Sequence, residues 1–321
     1  MKAVVATAYG PPEQYTVAEV PVPRPGPGQI QVRIAAAAIN PADIVLPSGR
    51  FGDAVHLDFP HIPGNDFAGT VTEIGAGVTA YRIGDEVFGL AIPRVLRAMA
   101  GKRPSVSTGS LAEYAVVEAD TPLVAHRPAG LPVEDAAALA TAGLTARAVV
   151  QTANIQPGER VLVVGATGGV GTALIPLLAA AKTHVIATAT DADADTLRHL
   201  GAAEIIEYRE PGYPAGIDVA INAVLPGDGL SGLAAALRPA GRLLTITFPA
   251  PTLESIGRDD VDLHVVLDMD AELGGMREVG EAAMRGELRA TIGRRYRLEQ
   301  GPQACADFAN LHTTGKLLIT I

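Results

Sequence analysis

The chain has 321 residues, a net charge of −10 at pH 7 and 48% hydrophobic residues, which is enough for two domains with sizeable cores. The acidic balance argues against nucleic acid or an anionic membrane as the main partner, and no apolar run is long enough to span a membrane. The single cysteine, Cys305, excludes an intramolecular disulfide and a cysteine-based zinc cage. Because the sequence starts directly with a predicted strand and shows no secretion signal, we expect a cytoplasmic location.

The first part of the chain predicts a small, curled β domain. Residues 2–7 and 15–20 are typical of strands, and residues 29–35 alternate polar and apolar side chains as a half-buried strand does. Asn40 precedes a short predicted helix, and residues 67–88 alternate again.

Residues 91–108 differ from their surroundings because they carry a local positive charge in an acidic protein. The basic side chains are Arg94, Arg97, Lys102 and Arg103. We interpret them as a solvated surface loop; the alternative is a mobile flap that attracts an acidic or phosphorylated substrate tail.

The strongest motif is a glycine-rich turn at 165–171, between the apolar run 161–164 and a predicted helix. Gly165 closes the turn, Gly168 and Gly169 place no Cβ between the backbone and a pyrophosphate, and Gly171 lets the helix lie close to the strand. The free N–H groups of the first helical turn would then face the anion. The pattern is G-x-x-G-x-x-G, and an ordinary strand–helix turn is the competing interpretation.

The surroundings of this turn favour a dinucleotide-binding fold. Strands are predicted at 183–188 and 204–208, which completes a βαβαβ unit. An Ala-rich helix is predicted over 133–150 and another over 273–286, with further strands at 218–222, 242–248, 262–267 and 317–321.

Several blocks of the sequence resemble the medium-chain dehydrogenase/reductase superfamily, and within it the zinc-free quinone oxidoreductase branch. Besides the glycine turn and Tyr208, the matching blocks are 40–43 (NPAD), 62–69 (IPGNDFAG), 84–87 (GDEV), 109–114 (GSLAEY), 140–146 (ATAGLTA) and 314–319 (TGKLLI). The resemblance implies an α/β protein in which a Rossmann doubly wound parallel sheet is inserted in a GroES-like β-rich catalytic domain. It implies a catalytic domain formed by 1–124 and 270–321 and a Rossmann domain at 125–269. It also implies a homodimer joined through the sheet edge of the Rossmann domain, for which 262–267 is a candidate segment; an ordinary core strand is the alternative for these residues.

The resemblance also implies that no metal is bound. Zinc relatives hold a catalytic metal with a Cys near position 40, a His near 65 and an acidic residue nearby, but this chain has Asn40, Asn65 and Asp66 there. An amide is a poor zinc ligand where thiolate or imidazole is expected. His56 and His61 lie nearby in sequence, and we interpret both as loop residues.

Without a metal, the expected chemistry is hydride transfer from a reduced nicotinamide to a quinone or to the β-carbon of an enone or enoyl group. By the resemblance, Asn40 and Thr141 lie beside the nicotinamide and are candidate catalytic residues. Asp43 is a candidate proton relay, although capping of the helix by Asn40 or Asp43 is the structural alternative. Many relatives have a Tyr and an Arg where this chain has Val45 and Pro47, so proton delivery falls to water or to another group.

The predicted cofactor is NADPH, with NADH kept as the alternative. The second strand ends in Ala187-Thr-Ala-Thr190, without the acidic residue that usually binds the ribose hydroxyls of NADH. Asp193 falls where relatives often have Lys, and together with Asp191 and Asp195 it either repels a 2′-phosphate or points to solvent from a helix start. The predicted cofactor-binding residues are Asn40, Thr141, Ala166, Thr167, Gly168, Gly169, Val170, Thr188, Tyr208 and Phe248.

Three functions fit these features. The first is an NADPH-dependent reductase of quinones or activated alkenes acting on a small molecule. The second is an enoyl or enone reductase that serves one biosynthetic pathway. The third is an NADPH-binding protein that keeps the fold but has lost turnover.

Overall fold

The computed structural model describes residues 1–50, 56–99, 101–208 and 212–321. The chain divides into two compact units. The first unit comprises 1–144, 269–286 and 290–321, and the second comprises 145–268 and 287–289. The first unit is a curled β domain and the second contains a parallel sheet with helices, which confirms the predicted fold class.

In chain order, the strands are β1 (Lys2–Val5), β2 (Thr16–Glu19), β3 (Gln29–Ala38), β4 (Asp66–Ile74), β5 (Glu86–Leu90), β6 (Ile92–Pro93), β7 (Val106–Ser107), β8 (Tyr114–Glu118), β9 (Val124–His126), β10 (Arg160–Val164), β11 (His184–Ala189), β12 (Glu204–Glu207), β13 (Ile217–Asn222), β14 (Leu237–Thr245), β15 (Asp262–Val265), β16 (Ile292–Arg297) and β17 (Lys316–Thr320). The helices are α1 (Pro41–Val45), α2 (Val133–Ala153), α3 (Gly169–Ala180), α4 (Asp191–Leu200), α5 (Ser231–Ala235), α6 (Leu253–Ile256), α7 (Met276–Met284) and α8 (Gly301–Asn310).

The main sheet of the first unit has the order β6-β7-β8-β3-β4-β5-β9, and β17 joins it by pairing with β3. The long central strand β3 is antiparallel to β4, β8 and β17. Ile30, Val32 and Ile34 of this strand are buried in the core with Phe67 and Val71 of β4. Arg33 is the one exposed residue among the ten of β3, so the strand is more buried than the half-buried strand predicted from its alternation.

The register of β17 brings the two ends of the chain together. Leu318 lies opposite Ala38 and Thr320 opposite Ala36, and the N–H of Ile39 donates to the carbonyl of Leu317 at 3.0 Å. Continued by two residues, this antiparallel register places Lys316 across from Asn40. The closing strand predicted at 317–321 is therefore present, and it delivers a lysine to the end of β3.

The sheet of the second unit is parallel and has the order β12-β11-β10-β13-β14-β15. Its central strand β10 is buried and apolar, as a parallel strand covered on both faces requires. The strand order reverses next to β10, where doubly wound folds bind ligands at the carboxyl ends of the strands. The glycine turn follows β10 directly.

The division between the units differs from the predicted boundary at 124/125. The first half of α2, up to Leu144, belongs to the first unit. The reason is local: β9 pairs with β5, and Thr141 of α2 hydrogen-bonds Asp66 of β4. Among the described residues, no helix combines the length and apolar character that crossing a membrane requires.

Candidate active-site residues

The glycine turn of the second unit is shaped by two positions that exclude a side chain. Gly165 has a φ of +85°, in the left-handed region that favours glycine. At Gly171, a Cβ would lie 2.3 Å from the carbonyl oxygen of Gly165 and 2.6 Å from the Cα of Ala166. The start of α3 can therefore approach the turn only because Gly171 has no side chain.

No side chain caps the backbone N–H groups in the first turn of α3. The N-cap residue is Gly168, with φ −70° and ψ 173°, and it has no side chain with which to bind the N–H groups that follow. These N–H groups have no partner within the helix and carry the positive end of its dipole. The predicted residues Ala166 to Val170 are thus placed where the chain fits a pyrophosphate.

The other predicted cofactor residues of the second unit differ in accessibility. The Thr188 side chain is buried under the turn, where its hydroxyl accepts from the Gly165 N–H at 3.2 Å and donates to the Val163 carbonyl at 3.3 Å. Tyr208 and Phe248 follow β12 and β14, and both side chains are exposed. The structure thus shows Thr188 as a tie between β10 and β11, while Tyr208 and Phe248 remain accessible to a ligand.

The three carboxylates at the start of α4 do not all point to solvent. Asp191 and Asp195 are exposed, but Asp193 is buried and accepts a hydrogen bond of 2.6 Å from the hydroxyl of Thr190. Asp193 occupies the third position of the helix, so its carboxylate folds back over the helix start.

In the first unit, a buried polar cluster surrounds Asn40. Lys316 Nζ donates to Asn40 Oδ1 at 2.6 Å and lies 3.1 Å from Asp66 Oδ2. The other oxygen of Asp66 accepts from both the main-chain N–H (3.1 Å) and the hydroxyl of Thr141. Asp66 Oδ2 is within ion-pair distance of the ammonium but outside hydrogen-bond geometry. The structure thus brings the predicted residues Asn40 and Thr141 together through Asp66 and Lys316.

Asp43 lies beside this cluster, and its carboxylate binds main-chain N–H groups. Its carboxylate accepts from the N–H of Asn40 at 2.8 Å and from the N–H of Gly64 at 3.0 Å. Burial, aided by repulsion from Asp66, raises the pKa of Asp43 to about 7, against the opposing effect of these N–H donors and Lys316. Asp43 therefore closes the N-terminus of α1, whereas the Asn40 side chain turns to Lys316 instead of capping the helix.

Sequence reasoning missed Lys316 and Asp66 as site residues. Both lie in blocks that carry the family resemblance, but nothing local distinguishes their roles. The available signal was a lysine at the start of an otherwise apolar strand, since buried lysines are rare unless they are paired.

The residues near Asn40 do not fit a catalytic zinc. Such a site needs three protein ligands of the thiolate, imidazole or carboxylate type, and within the described parts of the chain no three His, Cys, Asp or Glu side chains are grouped to hold a metal. Asn40 Oδ1 and Asp66 Oδ2 already face the Lys316 ammonium, whose charge would repel a metal ion. His61 lies outside the named strands, as the loop interpretation expects, but its side chain is buried and its main chain forms an isolated bridge with Ala6.

This chain has Val45 and Pro47 where many relatives have a Tyr and an Arg, and the two residues lie at the end of α1 and just after it. Val45 is the last residue of α1 and is partly buried, and Pro47 is buried. Neither side chain can donate a hydrogen bond. The candidate site therefore contains no side-chain donor at these two positions.

Three of the four basic side chains in segment 91–108, which is described apart from position 100, pair with acidic neighbours. Arg97 pairs with Glu118 at 2.5 Å, Arg103 pairs with Asp120, and Lys102 pairs with Glu272 at 3.2 Å. These pairs favour the surface-loop interpretation over a flap that attracts an acidic substrate.

Comparison with known proteins supports this assignment of the fold. The profile of the alcohol dehydrogenase GroES-like domain matches residues 26–128, and that of the zinc-binding dehydrogenase domain matches residues 200–319. A chloroplastic quinone-oxidoreductase homolog from Spinacia oleracea is 31% identical over 303 residues, covering 88% of this chain and 87% of that protein. The solved quinone oxidoreductase from Coxiella burnetii has a TM-score of 0.85 and 26% identity, covering 100% of this chain and 99% of the other.

A further relative carries a more specific name. The 2-methylene-furan-3-one reductase from Solanum lycopersicum is 35% identical over 198 residues, covering 60% of this chain and 49% of that protein. Since the profiles cover parts of both units and the spinach relative aligns over most of both sequences, the chain is an oxidoreductase of the medium-chain dehydrogenase/reductase superfamily, a family that binds NAD(P)H, and belongs to its quinone oxidoreductase branch.

Proposed function

We propose that the protein is a zinc-independent, NADPH-dependent oxidoreductase that transfers a hydride to a quinone or an α,β-unsaturated carbonyl compound. The observation that carries the proposal is the cluster around Asn40. Asn40 and Asp66 fall at sequence positions where the resemblance places zinc ligands in relatives, and here the Lys316 ammonium lies 2.6 Å from Asn40 Oδ1 and 3.1 Å from Asp66 Oδ2. The relatives named quinone oxidoreductase support the class of acceptor.

When bound, the reduced nicotinamide supplies a hydride, and negative charge then develops on the oxygen of the acceptor. Asn40 keeps an amide N–H that can stabilise this charge, because its oxygen is the end that faces Lys316. The Thr141 hydroxyl donates to Asp66 and therefore offers a ligand only its lone pairs. Since Val45 replaces the usual Tyr, we propose that water delivers the proton.

NADPH is the proposed cofactor because β11 ends in Ala189, and no carboxylate of the strand itself faces a 2′-phosphate. Asp193 is held over the start of α4 by Thr190, where the helix dipole favours its charge. Tyr208 is exposed at the end of the next strand.

The ratio of kcat/KM for NADPH to kcat/KM for NADH tests the proposed cofactor, and a preference for NADH would refute the proposal. Asp193→Asn should raise the preference for NADPH further, because it removes one negative charge.

An enone or enoyl reductase of one biosynthetic pathway is the second candidate. The 2-methylene-furan-3-one reductase among the relatives favours it, as does the loss of the usual Tyr at Val45. An NADPH-binding protein without turnover is the third.

The experiment that separates these candidates is NADPH oxidation, followed at 340 nm, across quinones, enals, enones and enoyl thioesters. We expect turnover of at least one quinone or activated alkene. Turnover confined to one enone or enoyl thioester would favour the pathway reductase. NADPH binding without oxidation by any acceptor would refute the enzymatic proposal and favour the third candidate.

The remaining expectations also stay proposals. We propose a small-molecule substrate, a homodimer and a cytoplasmic location, with neither nucleic acid nor a membrane as partner. Cys305 is buried and unpaired, as a reducing compartment allows.

A further inference from the structure

Lys316 is a charged residue in a place where charge is unusual. Its side chain is 7% exposed, Asp66 beside it is fully buried, and the four residues that follow in β17 are Leu317, Leu318, Ile319 and Thr320. Taking an ammonium and a carboxylate out of water costs several kcal/mol per ion, and their attraction often does no more than offset this loss. Stability alone is therefore a weak reason for this pair.

The ammonium has a direct effect on the orientation of Asn40. An ammonium can only donate hydrogen bonds, so the end of the Asn40 amide that faces Lys316 must be its oxygen. The bond from Lys316 Nζ to Asn40 Oδ1 is 2.6 Å long and buried. The opposite end, Nδ2, donates to the carbonyl of Ala38 at 3.3 Å. Its second hydrogen has no partner among the residues that the structure describes.

The position of Lys316 is fixed from two sides. The antiparallel register of β17 on β3 places it across from Asn40, and Asp66 at the start of β4 holds the other side of its ammonium. Asp66 is itself held by the N–H and the hydroxyl of Thr141. A series of polar contacts thus runs from Thr141 through Asp66 and Lys316 to Asn40, and each side chain orients the next one.

We propose that Lys316 is a positioning residue for hydride transfer, which locks Asn40 with its amide nitrogen as the only end left to donate to the ligand. This inference rests on the proposed function, because it assigns Asn40 to the reacting end of the ligand. Lys316 acts through Asn40 and need not contact the substrate.

The test is a double-mutant cycle in steady-state kinetics, using Asn40→Ala, Lys316→Met and the combination of both. If Lys316 acts through Asn40, each single change lowers kcat about 10- to 100-fold, in the range expected when a catalytic group is misplaced. The double variant should then be no slower than the slower single variant. The dissociation constant for NADPH should change less than kcat, because the pyrophosphate is bound by the glycine turn.

Lys316→Met leaves Asp66 buried without its counter-charge, so this variant is paired with a second one that preserves neutrality. Asp66→Asn/Lys316→Met removes both charges and keeps an amide that can accept from Thr141. It should unfold at a temperature close to that of the wild type while its kcat remains low. Lys2→Met is the matched control, because Lys2 is an exposed lysine that pairs with the exposed Glu299, and it should leave kcat unchanged.

Each outcome has a distinct meaning. Effects of Asn40→Ala and Lys316→Met that multiply in the double variant would overturn the inference, because the two residues would then act independently. A neutral pair variant with wild-type kcat would also overturn it, since the role of Lys316 would be structural. If the wild type oxidises NADPH with none of the acceptors, the proposed function fails as well; if it turns over and Lys316→Met is fully active, only this inference fails.

Discussion

Gly165 and Gly171 lie so close together that a Cβ on Gly171 would come within 2.3 Å of the Gly165 carbonyl oxygen. The same Cβ would meet the main chain of Ala166, so no side-chain movement could relieve the contact. We expect Gly171→Ala to lower the free energy of unfolding by about 1–3 kcal/mol, the usual range for overpacking. Thermal or denaturant unfolding measures this loss.

Gly168→Ala separates the binding role of the turn from its folding role. A Cβ there would lie 3.5 Å from the Gly165 carbonyl oxygen, which is an ordinary contact, and the backbone angles suit any residue. We expect normal stability but roughly tenfold weaker NADPH binding, because the methyl group would lie beside the N–H groups that we propose bind the pyrophosphate. Gly232→Ala is the control, since a Cβ there meets no atom within 4 Å. Unchanged NADPH affinity in Gly168→Ala would argue against pyrophosphate binding at this turn.

The contrast between the glycine turn and the Asn40 cluster shows what the sequence could reveal. The turn is local: strand, glycines and helix follow each other within about twenty residues, so their spacing was sufficient to predict it. Lys316 and Asn40 are 276 residues apart, and only the pairing of β17 with β3 brings them together. No periodicity in either segment encodes that contact, so the role of Lys316 could not be predicted.

Two other side chains have roles that only a hydrogen-bond partner in the structure decides. The sequence leaves Asp193 either repelling a 2′-phosphate or pointing to solvent, and in the structure its carboxylate accepts from the hydroxyl of Thr190 over the helix start. The sequence leaves Asn40 as a possible helix cap, but its oxygen accepts from the buried ammonium of Lys316, and the carboxylate of Asp43 accepts from the N–H of Asn40.

A third prediction concerns zinc. Although one of the matching profiles is that of zinc-binding dehydrogenases, the Lys316 ammonium lies beside Asn40 Oδ1 and Asp66 Oδ2. We expect elemental analysis of the purified protein to find no stoichiometric zinc, and prolonged treatment with a chelator to leave the melting temperature unchanged. About one tightly bound zinc per chain would contradict the proposal.

A fourth prediction concerns the side-chain donor that position 45 lacks. Val45 stands where relatives place a Tyr near the substrate, at the end of α1. Val45→Tyr should raise kcat for enone acceptors several-fold, because a phenol can stabilise the developing negative charge and supply a proton. Val45→Phe is the matched control, since it adds the ring without the hydroxyl. If Tyr and Phe change the kinetics equally, the effect is steric; if neither changes them, position 45 lies outside the site.

A fifth prediction concerns assembly. β15 is the last strand in the sheet order of the second unit, and Leu267 just beyond it is an apolar side chain with 61% exposure. An edge strand of this kind can pair with a second copy across a twofold axis.

We expect light scattering to give the mass of a dimer. The variant Val265→Lys/Leu267→Lys should be a monomer, because it places like charges opposite each other in the interface. Ile83→Lys is the control because Ile83 is equally exposed, at 67%, in the first unit, and it should remain a dimer. A wild type that is monomeric at micromolar concentration would refute the edge interface.

The last prediction uses two buried groups whose titration acts in opposite directions. Burial raises the pKa of Asp43 to about 7 and lowers the pKa of His61 to about 4. In the unfolded chain these values are about 3.9 and 6.5. As pH rises from about 4 to 7, the folded state keeps a proton on Asp43 that the unfolded state has released, so this group makes folding less favourable. As pH falls from about 6.5 to 4, His61 takes up a proton in the unfolded state but stays neutral in the folded state, so this group makes folding less favourable on acidification.

In the wild type the two effects largely offset each other between pH 4.5 and 6.5. Asp43→Asn should therefore lose stability on acidification over this range relative to the wild type, and His61→Phe should gain it, each by an amount on the order of 1–3 kcal/mol. Melting temperatures at pH 4.5 and 6.5 measure the slopes, which matter here more than the absolute stability of either variant. Two variants with the pH dependence of the wild type would show that neither group titrates differently in the folded protein.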